Sequence, residues 1–259
     1  MLKKLLKHDF VAIWRLALPI FAIATGIVLF AYTMRIIDSN NPVLKIFSTL
    51  LLPTGIIVLI VACVVIFCLP VIHFYRNLMT GEGYLSFTLP VTTYQIVLSK
   101  LIVGAVTMLC NLAFTVGGFL LLISTETDLS TFSLKGIHMP DGASPVPIVV
   151  ILVITIVVAT ICQQLYLYLS VCLGQVISKN KISGSVLGYA IIYAANQIIN
   201  LVLLVILLLF IGFDHLETFM TSTENLLIFL GVLVAEYVIL GSISYILSGR
   251  ILKKRLNLS

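Results

Sequence analysis

Six stretches of apolar residues set the limits on how this chain folds. They cover about 18–37, 47–72, 101–123, 148–173, 184–213 and 226–247. The hydrocarbon interior of a bilayer is roughly 30 Å thick, and about 20 residues of helix cross it. Backbone amides find no water there, so a spanning segment is a helix or part of a closed barrel. Barrel strands alternate apolar and polar residues over about 10 positions, and these blocks do not alternate. The expected fold is all-α and membrane-integral: one transmembrane domain over residues 1–259, with six transmembrane helices. Only 10% of the residues are charged and 61% are hydrophobic, too little polar surface for a soluble domain of 259 residues.

Before the first block, Leu2, Leu5, Leu6, Phe10, Ile13, Trp14 and Ala17 recur at helical spacing, with Lys3, Lys4, Lys7 and His8 on other faces. That pattern predicts an N-terminal amphipathic interfacial helix over 1–17, with its lysines at anionic head groups and Trp14 at the boundary. Ala22-Ile23-Ala24 resembles a signal-peptidase site, but Asp9 and Arg15 interrupt the apolar core such a peptide needs. Pro19 falls near the first turn of the first span, and Pro53 and Pro70 near the ends of the second.

Six spans return both termini to one side, and charge chooses the side. Of the 15 Lys and Arg residues, only Arg35, Lys45 and Lys135 fall in the loops opposite the termini. The positive-inside rule then puts both termini in the cytoplasm of a multi-pass cytoplasmic-membrane protein. Asp38, Glu126, Asp128, Asp141, Asp214, Glu217 and Glu224 fall outside. The net charge of +5 is thereby explained by topology, without nucleic acid. Five cysteines all lie in apolar blocks with no CxxC, and read as small unpaired hydrophobes.

The longest interval on the cytoplasmic side is His73–Lys100. Tyr75-Arg76-Asn77 continues the second helix to head-group level. Gly81-Glu82-Gly83 permits a reversal that leaves the Glu82 carboxylate facing the cytoplasm. Tyr84, Leu85 and Phe87 supply apolar contact area before the Leu89-Pro90 break. Thr92 or Thr93 then caps the third helix. A short surface helix between two long spans is suited to transmit a push from a partner; the plainer reading is an ordinary polar connector.

Within the spans, Tyr189, Tyr193, Asn196, Gln197 and Asn200 form one stripe, extended by a Gly184/Gly188 GxxxG pair. The stripe is a candidate translocation surface or a seam between two copies, with intrachain hydrogen bonding as the alternative. Gly104, Asn111, Thr115 and Gly118 share a face of the third span, as packing would require. Gln163 and Gln164 point in different directions, and at least one should find an internal partner. Glu236 is the one acidic residue deep in a span, to be neutral, paired or wet. Proton coupling, a hydrogen-bonded structural role and a position nearer the outer interface are all open to it, and Gln163 and Glu236 join the stripe as candidate pathway or seam residues.

No HExxH and no clustered intramembrane acids occur, which disfavours a metalloprotease and implies no metal site. Gly184-Ser185 has no histidine in a later span to serve it. No GxxxxGK[ST] occurs, so the chain does not hydrolyse nucleotide with a P-loop of its own.

The run FYRNL…GEGYLSFTLPVTTYQIVLSKLI resembles permease subunits of type-2 ATP-binding-cassette (ABC) exporters from Gram-positive bacteria. The match is concentrated in Tyr75–Ile102, and the six-span architecture agrees with it. The resemblance implies that Gly81–Pro90 includes a cytoplasmic coupling helix between spans 2 and 3, seated in a groove of a separate ABC ATPase subunit. Gly81, Glu82, Gly83, Tyr84, Leu85, Phe87, Leu89 and Pro90 are then the coupling residues. It implies a non-enzymatic chain without a cofactor of its own, with ATP and Mg on the partner. It also implies a second copy or a related permease chain, export rather than import, and a cargo such as a peptide, drug or lipid-like molecule. Unlike eukaryotic members, this chain has a short external loop between spans 5 and 6. The competing function classes are a membrane-embedded enzyme (a lipid-modifying transferase or protease) and a non-transporting, immunity-type membrane protein.

Overall fold

The computed structural model of the chain describes residues 2–37, 42–79, 92–124, 146–177, 181–211, 219 and 222–256. Nearly all of them lie in six helices: α1 (Leu2–Ile36), α2 (Pro42–Met79), α3 (Thr93–Ile123), α4 (Val146–Ile177), α5 (Lys181–Ile211) and α6 (Thr223–Leu256). Each is long and apolar enough to cross a membrane, in agreement with the all-α, six-span reading. They run longer than the apolar blocks. At 31–38 residues they extend about 47–57 Å, well beyond the hydrocarbon layer, so their ends project or the helices tilt. Large apolar side chains such as Ile23, Ile57, Val186 and Leu209 stand exposed, as they do where lipid rather than water covers a helix.

Two compact units divide the chain: Met1–Gly83 with Leu98–Phe132, and Tyr84–Val97 with Ser133–Ser259. In the first, Asp9, Ile13, Ala17, Ala24, Val28 and Ala31 are buried along α1. Their spacing of three, four and seven residues is one helical face, continuous from the N-terminal turns into the apolar block. No boundary at Ala17 separates an interfacial helix from a first span. Pro19 therefore sits mid-helix rather than in a first turn, and Pro53 and Pro70 are likewise interior to α2. Each removes one backbone bond, which membrane helices tolerate when neighbours re-satisfy the freed groups. Trp14 stacks on Phe10 (ring centroids 5.1 Å apart) and lies 6.3 Å from Phe21, which packs edge-on against Phe114.

The α2–α3 contact is the packing face read from the sequence. Asn111 Nδ2 donates to the Cys63 carbonyl across 3.0 Å, and a Cβ on Gly118 would lie 2.9 Å from the Leu59 methyls. Leu59, Val28, Ala31 and Leu122 close this core, with Leu51, Ile56 and Phe114 around it.

In the second unit α4 packs against both α5 and α6. Glycines let the backbones approach. A Cβ on Gly188 would lie 2.9 Å from the Ser170 carbonyl oxygen, and one on Gly174 would collide with the Ser185 backbone. Gly241 leaves room for Cys162, whose thiol donates to the Tyr237 carbonyl at 3.0 Å. None of the five cysteines forms a disulfide. Thr92 caps α3 in a reciprocal box: the Gln95 amide donates to Thr92 Oγ1 (3.4 Å) and the Thr92 amide to Gln95 Oε1 (3.3 Å). The C-terminal turns of α6 meet this cap, where the Tyr245 hydroxyl donates to the Tyr94 carbonyl at 2.9 Å.

Candidate functional site

Gly81, Glu82, Gly83, Tyr84, Leu85, Phe87, Leu89 and Pro90 lie outside the described residues. What the structure describes is the base from which that segment leaves and returns. There the two helix ends are held by a residue from a third helix, Asp9 of α1. Its Oδ1 accepts from Lys100 Nζ at 3.1 Å and lies 3.0 Å from His73 Nε2, while its Oδ2 accepts from Ser99 Oγ at 3.1 Å. His73 belongs to the last turns of α2, and Ser99 and Lys100 to the second turn of α3. The His73 nitrogen is also 3.1 Å from Asn77 Nδ2. It either donates to Asp9 or accepts from Asn77, and the adjacent carboxylate favours the first.

This clasp is buried. Asp9 is 2% exposed, Lys100 4% and Ser99 fully enclosed. A carboxylate taken out of water is tolerable only with paired charge and filled lone pairs; here one ammonium, one imidazole and one hydroxyl supply both. The arrangement holds an acid, a histidine and a serine together, yet Ser99 donates to Asp9 and not to His73. The contact between nucleophile and base that acyl transfer needs is missing. Asp9 and Lys100 were not singled out as site residues from the sequence. The available signal was modest: Asp9 falls four residues before Ile13 and eight before Ala17, on the face that is buried.

The polar residues of the second unit divide into three groups. Gln163 Nε2 donates to the Tyr189 hydroxyl at 2.8 Å, joining α4 to α5, and Tyr189 stacks on Tyr193 with ring centroids 6.4 Å apart. Along the rest of the stripe Asn196 and Asn200 are half-buried, with Asn200 Nδ2 donating to the Asn196 carbonyl, whereas Gln197 and Tyr193 are exposed, Tyr193 to 59%. The Gly184/Gly188 extension is buried, and Gly188 lies against α4. The stripe thus runs along the edge of a packed face: one margin touches α4 and the other is open.

The third group surrounds Glu236, near the middle of α6. It is 8% exposed, and neither carboxyl oxygen has a hydrogen-bond partner among the described residues. Among the described residues no hydrogen bond supports a structural role for it. Its neighbour Tyr166 faces Asn196 of the stripe and comes within electrostatic reach of Glu236 and Tyr237, without a hydrogen bond of good geometry at its hydroxyl. Gln164 is enclosed and also lacks a partner for its amide. Among the described residues no three His, Cys, Asp or Glu groups come together to hold a metal.

Six helices long and apolar enough to cross a membrane, with large apolar side chains exposed along them, define a class, the multi-pass helical membrane protein. Compared with protein-family models, curated proteins and solved structures, the chain matches none.

Proposed function

We propose that the chain is the transmembrane permease subunit of an ATP-driven ABC exporter in the cytoplasmic membrane. Its ATPase would be a separate chain carrying ATP and Mg, and a second permease copy or related chain would complete the pathway. The segment Gly81–Pro90 would include the coupling helix, and the N-terminal turns of α1 would lie at the inner interface. The observation that supports this reading is the clasp at Asp9. A segment that passes force from an ATPase to membrane helices needs a base that does not yield, and Asp9 ties both flanking helix ends to α1 through buried charge. The cargo would be amphiphilic (a peptide, drug or lipid-like molecule), met by the open margin of Tyr193 and Gln197. A membrane-embedded enzyme has less support, because among the described residues the acid–histidine pair at Asp9 is engaged in an ion pair and lacks a contacting nucleophile.

Affinity purification of the tagged chain from its native membranes is expected to bring down a nucleotide-hydrolysing subunit. Glu82→Ala and Tyr84→Ala are expected to lower transport roughly tenfold, the effect of about 1.4 kcal/mol lost from a docking contact. Membrane insertion should be unchanged. Full transport in both variants overturns the coupling assignment, and a chain that purifies with no such subunit overturns the permease reading.

A further inference from the structure

Next to the clasp, between α1 and α2, lies a cavity of about 210 Å3. One end is polar, lined by His8, His73, Arg76 and Asn77, and the other is apolar, lined by Leu16 and Leu69 among others. The gradient runs along the helices. Leu16 follows His8 by eight residues on α1, and Leu69 precedes Arg76 by seven on α2, so the two ends are about 10–12 Å apart along each axis. The polar end is at the same level as the clasp, where both helices approach the charged side of the membrane.

The electrostatics favour an anion. Asp9 is the one acidic side chain in α1, α2 and α3, and it is already matched by Lys100 and His73. Arg76 brings a guanidinium and His8 an imidazole to the cavity lining, and Lys3, Lys4 and Lys7 lie on the same terminal turns of α1. A guanidinium matches the geometry of phosphate oxygens in a way a point charge does not. A soluble phosphate would use the polar end alone. The apolar end instead opens toward Leu16 and Ile72, which are 55% and 51% exposed and in a bilayer face hydrocarbon. A ligand with a phosphate at one end and acyl chains at the other fits both ends at once.

We propose that this cavity binds the phosphate head of an anionic phospholipid, with its chains lying over Leu16 and Ile72. The lipid comes from the leaflet that meets the lysine-bearing turns of α1. It fills a gap between the two helices that carry Asp9 and His73, so the clasp is read out together with its membrane.

The test reconstitutes the full chain in nanodiscs of equal phosphatidylglycerol and phosphatidylcholine, re-extracts it in mild detergent, and counts retained lipid by native mass spectrometry. Wild type is expected to retain phosphatidylglycerol in excess. Arg76→Gln should reduce that excess about fivefold, the effect of roughly one basic contact to an anionic lipid. Leu69→Trp closes the apolar end without changing charge and should reduce retention as well, and it carries the test if Arg76→Gln does not fold. Lys253→Gln, exposed on α6 and outside the cavity, should stay within about twofold of wild type, since a screened charge away from the cavity contributes little in detergent. Equal retention of the two lipids by wild type overturns the proposal. So does an unchanged excess in the folded cavity variants, or displacement of the lipid by millimolar inorganic phosphate, which would make this a plain anion site.

Discussion

Asp9 shows how much rests on one side chain. Its carboxylate is buried with Lys100, and removing one member leaves the other as an unpaired buried charge. Asp9→Asn is expected to cost about 3–5 kcal/mol, the range for breaking a buried pair. Asp9→Leu combined with Lys100→Met removes both charges and should cost clearly less than either single change. Thermal unfolding in detergent followed by circular dichroism measures the difference; equal losses in single and double variants would show that the ion pair is not what holds these helices. In the sequence Asp9 reads as an interruption of an apolar segment, because its partners His73 and Lys100 are 64 and 91 positions away. Nothing local announces them. Glu236 is the opposite case. Its depth in a span is plain from the sequence, whereas the lack of a hydrogen-bond partner for its oxygens among the described residues depends on how the helices pack.

At the scale of the helices, two glycines make similar close approaches to different neighbours. A methyl on Gly188 would press on the Ser170 carbonyl, which is part of a helix backbone, whereas one on Gly118 would press on the methyls of Leu59, a side chain free to change rotamer. Gly188→Ala is therefore expected to destabilise by roughly 1–3 kcal/mol, as overpacking against fixed atoms does, and Gly118→Ala by less. The order of the two thermal midpoints checks this, and a reversed order would mean that α4 yields more readily than Leu59. The GxxxG spacing makes Gly184 and Gly188 recognisable as a contact face, but the identity of the facing helix is not contained in that pattern. Helix ends were partly legible. Thr92 with Gln95 is a cap that can be read directly. The reach of α1, α2 and α6 beyond their apolar blocks is not, since hydropathy marks where lipid lies and not where backbone hydrogen bonding stops. For the same reason Pro19 looks like a helix start from its position relative to the apolar block, although the helix began well before it.

For the molecule as a whole, the six-helix architecture follows from block length and desolvation cost, and sequence alone suffices for it. The proposed sidedness rests on the charge bias alone, and it carries its own prediction. A fluorescent-protein fusion after Ser259 should fold and fluoresce, while an alkaline phosphatase fusion there should be inactive and one near Asp128 active. The reverse pattern would invert the topology, and with it the placement of segment 80–91. The candidate coupling residues Gly81–Pro90 are legible only through their resemblance to permease subunits, and they lie outside the described residues. The clasp at Asp9 is illegible in the sequence because three separate helices build it.

The unbroken course of α1 makes it a lever arm with Asp9 near one end. From Asp9 to Ile36 the helix extends about 40 Å, and from Asp9 back to Leu2 about 10 Å, at 1.5 Å per residue. A tilt of about 10° around the clasp would carry the far tip through roughly 7 Å while the near tip moves about 2 Å, by the geometry of a rigid rod of that length. Small displacements at the N-terminal end would thus be amplified at the far end of the helix, to the extent that the shaft stays straight through Pro19, where one backbone bond is absent.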